Sequence, residues 1–199
     1  RNRFRVLVVD KHPETFHARL ERFVGDEAKR VENTEVILFD ESRPEESAAA
    51  LRSRLPEVDI VICAAVRRPS LPKEKCEFLI RRADVATMAA NTVICDATAC
   101  DYDFIETAVS SSSLTDHYVD EGVVHYSCDH IPSLVASTAT SLLTDATFPY
   151  VRMLCDGFEQ AARRSEPLAK GVMCHRGKLT HERSARKKSL AYTDLKTLL

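Results

Sequence analysis

Glycine is scarce in this sequence. The 199 residues contain five, at positions 25, 122, 157, 171 and 177, where an average chain of this length carries roughly 14. No two lie close enough to build a glycine-rich loop around a phosphate. Tryptophan is absent and aromatics make up only 7%. The basic run from Arg183 to Lys188 has no interleaved rings and reads as a solvated helix face, with no stacking surface for nucleic acid. A net charge of −2 gives no electrostatic argument for nucleic acid or an acidic membrane. There is no apolar run near the roughly 20 residues that span a bilayer. Arg1-Asn2-Arg3-Phe4-Arg5 leads straight into a strand and does not resemble a signal peptide. No two of the seven cysteines form a CxxC pair, which weakens a zinc reading. Their odd number argues against a disulfide scaffold. Cys63, Cys95 and Cys128 lie in apolar runs and read as small buried hydrophobes of a cytoplasmic protein.

What is present is an alternation of strands and helices. Phe4 to Asp10, Glu35 to Phe39, Val58 to Ala65, Thr92 to Ala97 and Gly122 to Cys128 are short apolar runs rich in β-branched residues, as buried parallel strands are. Between them, Phe16, Leu20, Phe23 and Val24 repeat at helical spacing. Pro44 to Leu55 is an alanine-rich helix, and Cys76 to Met88 is expected to be helical. Thr98 to Asp116 has little apolar content and reads as a surface loop. A long helix follows from about Ser133 to Cys155, then a short hairpin around Arg176-Gly177. This order predicts an α/β fold with a parallel sheet and right-handed crossovers.

The candidate functional residues sit at strand ends. Asp10 closes the first strand, where an acid of a dinucleotide-binding sheet accepts hydrogen bonds from an adenosine ribose. The opening run also resembles a phosphate-receiver domain, but the third strand ends on Cys63 and alanines, so the acceptor aspartate is missing. Asp96, Cys100, Asp101 and Asp103 cluster after the fourth strand, where a carboxylate can act as a base. The fifth strand delivers His125 and then Asp129-His130 just before Pro132, which ends the ladder. A histidine beside a carboxylate titrates near neutrality in a defined orientation, so His125, Asp129 and His130 are the strongest set.

These residues carry a resemblance. Val123-Val124, His125-Tyr126, His130-Ile131-Pro132, Thr138-Ala139-Thr140 and Asp145-Ala146-Thr147-Phe148-Pro149-Tyr150 resemble the C-terminal part of the alanine dehydrogenase and pyridine nucleotide transhydrogenase family. So do Leu168-Ala169-Lys170-Gly171 and Gly177-Lys178-Leu179-Thr180, and the order of elements from Val58 to Asp96. The resemblance implies a Rossmann-like parallel sheet over residues 1–135 that lacks its first strand and glycine-rich turn. It implies that 136–199 is a long helix plus the C-terminal part of a second, substrate domain. The reaction implied is hydride transfer between NAD, or NADP, and a C–N bond of an amino acid, in a homo-oligomer.

The same resemblance assigns residues. Asp10 would hold the adenosine ribose, and Lys11 and His12 would meet a 2′-phosphate if the cofactor were NADP. Val66 and the loop to Pro69 would touch the cofactor, as would Asp129. His130 with Ile131 would border the nicotinamide. The family's catalytic aspartate lies four residues after the strand-ending aspartate, a place held by Cys100 with Asp101 beside it. The family's asparagine before Met-Pro is His130 here. Asp129-His130-Ile131-Pro132 is similar instead to saccharopine dehydrogenase and lysine-ketoglutarate reductase, which leaves the substrate open. The alternative is a degenerate Rossmann domain, without catalysis, that serves as an assembly module.

Overall fold

The computed structural model describes residues 4–25, 34–67, 71–98 and 104–199. They form two compact units, 1–134 and 135–199.

In the first unit, the β-branched runs become parallel strands. β1 (Val6–Asp10) pairs in parallel with β2 (Thr34–Leu38), Val6 facing Thr34 and Asp10 facing Leu38. α1 (Phe16–Val24) and α2 (Pro44–Arg52) follow these strands. Pro44 opens α2 at a position where its missing N–H costs nothing, and Glu45 and Glu46 complement the positive end of the helix. A second sheet holds β3 (Ile60–Cys63), β4 (Val93–Asp96), β5 (Tyr118–Asp120) and β6 (Val123–Tyr126), in the order β3-β4-β6-β5. β3, β4 and β6 are mutually parallel, and β5 runs antiparallel to β6. No ladder joins the β1–β2 pair to this sheet among the described residues.

Two core clusters meet on these strands. Leu55, Ile80, Val85, Met88, Ile94, Ile105 and Val123 form one, and Phe39, Ala48, Leu71, Cys76 and Phe104 the other. Cys63 and Leu79 pack against both. Two sequence expectations change here. Within Cys76 to Met88, only α3 (Arg82–Val85) is α-helical. The preceding residues are held instead as a loop by Arg52, which donates to the carbonyls of Phe78 (2.5 Å) and Leu79 (3.0 Å), and by Arg67 on those of Cys76 and Glu77. The stretch read as a surface loop buries Phe104, Ile105 and Thr107, because Ile105 bridges to Ile80 and enters the core. Two adjacent apolar residues, Phe104 and Ile105, were too few to raise the average hydrophobicity of that stretch. Among the three cysteines read as core, Cys128 is buried while Cys63 and Cys95 are half-buried.

The second unit contains α4 (Ala136–Cys155), α5 (Phe158–Arg164), α6 (Glu166–Gly171), the hairpin β7 (Cys174–His175) and β8 (Lys178–Leu179), and α7 (Glu182–Lys188). Its buried positions include Ala161, Ala162, Ala185 and Leu195, and α4 has none. Among the described residues, no helix is long and apolar enough to cross a membrane.

Candidate cofactor site

Asp10 ends β1 with its carboxylate held from two sides. Oδ1 accepts from the backbone N–H of His12 at 2.7 Å, and Oδ2 accepts from the Arg19 guanidinium at 2.7 Å. Partial burial works against ionisation, but the His12 amide and Arg19 outweigh it and hold the carboxyl below its ordinary range. A carboxylate offers about four lone-pair directions, so two remain for a ligand. Beside it, Lys11, His12, Leu38, Phe39, Asp40 and Glu41 line a cavity of about 390 Å³ at the ends of β1 and β2. Asp40 accepts from the Ser42 hydroxyl and amide and from Arg43, which also hold its carboxyl below the usual range. Lys11 pairs with Glu41 at 3.3 Å, and His12 Nδ1 lies 3.5 Å from Glu14.

The remaining candidates belong to the second sheet. Because β3, β4 and β6 are parallel, residues that follow them share one sheet edge. Val66 lies past β3 and is partly exposed. Asp96, the last residue of β4, is buried and accepts from the Thr98 amide (2.9 Å) and hydroxyl (2.8 Å), a tight turn that stops the strand. Cys100, Asp101, Asp103 and Pro69 lie outside the described residues.

After β6 the chain is pinned to a neighbouring segment. The Ser111 amide donates to the Ser127 carbonyl (2.9 Å), and the Asp129 amide donates to the Ser111 carbonyl (3.0 Å). A short 3₁₀ turn, Ile131–Val135, begins at once. This arrangement keeps the Asp129 and His130 side chains partly in solvent, with His130 Nδ1 against Asp129 Oδ1. Ile131 is half-buried beside them.

His125 does not join this pair. It is fully buried, with Nδ1 on the Val123 carbonyl (3.0 Å) and Nε2 on the Thr107 hydroxyl (2.8 Å). Its ring stacks on Tyr118, centroids 4.9 Å apart, and Tyr118 in turn donates to the Thr107 carbonyl. Burial pushes its pKa below the ordinary histidine value. It is a satisfied core histidine and has no open nitrogen for substrate. The sequence reading grouped His125 with Asp129 and His130; alternation along β6 instead turns Val123 and His125 to the buried face, which is closed core.

Sequence reasoning missed Arg19, Leu38 and Phe39. Arg19 was legible in part, since it lies on the first helix after Asp10. The cavity wall from Leu38 and Phe39 depends on the parallel register of β2.

Residues 3–182 match the C-terminal domain of the alanine dehydrogenase/PNT family. The chain belongs to that family. The matched domain is the family's NAD-binding part. The alanine dehydrogenase of Halomonas elongata is 32% identical over 154 residues, 77% of this chain and 40% of that protein. The alanine dehydrogenase of Staphylococcus haemolyticus is 29% identical over 154 residues, 75% of this chain and 39% of that protein. A solved L-alanine dehydrogenase superposes with a TM-score of 0.68 at 25% identity, covering 94% of this chain and 47% of the other. The chain therefore spans about 40% of the length of these curated relatives and just under half of the solved structure.

Proposed function

We propose that this chain is the nucleotide-binding and adjoining portion of an NAD-dependent amino-acid dehydrogenase that transfers hydride at a C–N bond. Asp10 carries the proposal: an ionised, pre-oriented acid at a parallel strand end, next to an open depression that begins at Lys11 and His12. It would accept both ribose hydroxyls. Asp40 and Glu41 in the cavity wall, with Lys11 already paired to Glu41, would repel a 2′-phosphate, so the cofactor is NAD in preference to NADP. The nicotinamide, when bound, supplies the hydride chemistry.

Val66, Asp129 and Ile131 would position that ring, and His130 would border it. Cys100 or Asp101 would face the substrate and handle its amine proton, on the register counted from Asp96. We assign 1–135 to the dinucleotide-binding domain and 136–199 to a long helix and the end of the substrate domain. We include a homo-oligomer in the proposal; α4 exposes Leu142, Leu143, Phe148, Val151 and Leu154. Alanine is the substrate of the relatives' names. The Asp129-His130 pair favours a bulkier amino-acid substrate of the saccharopine type as the alternative.

The second reading, a non-catalytic assembly module, draws on the lack, among the described residues, of a ladder between β1 and β3. Titration of the full-length protein with NADH, followed by nicotinamide fluorescence, separates the two. Micromolar binding, with NADPH at least tenfold weaker, is expected. Failure to bind either nucleotide would end the dehydrogenase reading.

A further inference from the structure

The end of β6 sets the Cys128 thiol beside the Asp129 and His130 side chains, and the cofactor reading gives that thiol no part. Cys128 Sγ lies 3.8 Å from His130 Nδ1, and the ligand atoms of Cys128, Asp129 and His130 all lie within 4.8 Å of one another. Both neighbours approach the same imidazole nitrogen. A relay from thiol through imidazole to carboxylate needs two ring nitrogens, one to accept and one to donate, so this is not a Cys–His–Asp triad. The three ligand atoms are close enough for one cation to take the place of the proton shared by His130 and Asp129.

We propose that Cys128, Asp129 and His130 form a binding site for a borderline-soft divalent cation of the zinc class. At Zn–S near 2.3 Å and Zn–N near 2.05 Å, a tetrahedral ion sets sulfur and nitrogen about 3.6 Å apart, close to the 3.8 Å observed. Thiolate with imidazole selects Zn²⁺ and its analogues over Mg²⁺ or Ca²⁺, which prefer oxygen. The turn is held for the task. Ser111 ties residues 127 and 129 from one side, and the Ser133 amide bonds to the His130 carbonyl from the other. The Asp129 carboxylate is partly exposed, and a metal would take it over from its contact with His130 Nδ1. On binding, the Cys128 S–H gives its proton to solvent, the sulfur keeps the electron pair and donates it to the metal, and His130 binds as the neutral Nε2–H tautomer. Three protein ligands leave a fourth position to water.

This site stands on three side chains and does not depend on the cofactor reading. One consequence does rest on that reading: a metal at this loop would compete with the nicotinamide.

The test is titration of the metal-free full-length protein with Co²⁺ alone. A thiolate-to-cobalt charge-transfer band that saturates at one equivalent, and is displaced by Zn²⁺ alone, is expected. The band should vanish in Cys128→Ser and persist in Cys155→Ser and Cys174→Ser, whose thiols are exposed elsewhere. Because Cys128 is buried, calorimetry of Zn²⁺ binding to the more exposed variants Asp129→Asn and His130→Gln keeps the proposal falsifiable, each expected to lose tenfold or more in affinity. No band, a band that follows Cys155 or Cys174, or unchanged affinity in both exposed variants would overturn the site. An NADH titration of the same preparation reports on the cofactor reading separately.

Discussion

The two sheets of the first unit are built to different standards. In the β3-β4-β6-β5 sheet, Ile94, Val123 and His125 are completely buried, and every ring atom of His125 that needs a partner has one. In the β1–β2 pair no strand residue is buried, and Val6 and Leu38 are substantially exposed. On β3, the edge strand of the larger sheet, Ile60 and Ile62 are 58% and 70% exposed. Among the described residues, the larger sheet holds the fully buried strand positions, and the smaller pair holds the charged strand end and its cavity. Loosely packed segments near a ligand site are the ones whose order a ligand can raise.

The largest expected break of this contrast is Ile94→Ala. It should cost about 2–5 kcal/mol, read as a fall in the urea midpoint, while Leu38→Ala should cost less than about 1 kcal/mol. Equal losses would erase the distinction. Next is His125→Ala, which strands the Thr107 hydroxyl and the Val123 carbonyl and opens a cavity, for about 2–4 kcal/mol. It should leave NADH affinity unchanged, since His125 faces the core. An unimpaired fold with lost NADH binding would show that this histidine was misassigned.

The third prediction uses pH. His125 is depressed by burial, so below about 6.5 the unfolded chain takes up a proton that the native chain refuses. Stability should fall as pH drops from there through the folded-state pKa. Asp10 is depressed as well, so its contribution is present above the ordinary aspartate range and is lost at more acid pH, as pH falls through its lowered pKa. Urea midpoints between pH 7 and pH 3 should therefore decline in two stages, and His125→Gln should remove the first. The smallest stability effect is expected for Asp10→Asn, below about 1 kcal/mol because the ion pair with Arg19 is partly exposed. It should nonetheless weaken NADH binding about tenfold or more, measured by fluorescence titration.

Much of the larger sheet was legible, and the reason is local. Ile60 to Cys63, Val93 to Asp96 and Val123 to Tyr126 are runs whose β-branched side chains suit a pleated surface. β5 was not legible. Tyr118-Val119-Asp120 is three residues long, and its turn places Glu121 and Gly122 at positive φ (52° and 79°) without the Asn-Gly signal that marks such hairpins. The second hairpin, at Arg176-Gly177 (φ 49° and 72°), carries a glycine in its turn and was found. At the candidate site, Asp10, Asp129 and His130 were visible as polar groups at strand ends. Their partners were not, because Arg19 reaches back from a helix and Ser111 crosses from a segment 18 residues upstream of Asp129. Tertiary pairing decides such contacts and leaves no mark in a local window.

The Asp10–Arg19 pair also bears on how the strand end responds to its medium. A bare carboxylate would gather counter-ions that a ligand must strip away, and its field would weaken with every addition of salt. Here the counter-ion is built in, at 2.7 Å. The strand end meets solvent as a dipole with little net charge, so its grip on a neutral sugar is a short-range contact set by geometry and largely indifferent to ionic strength.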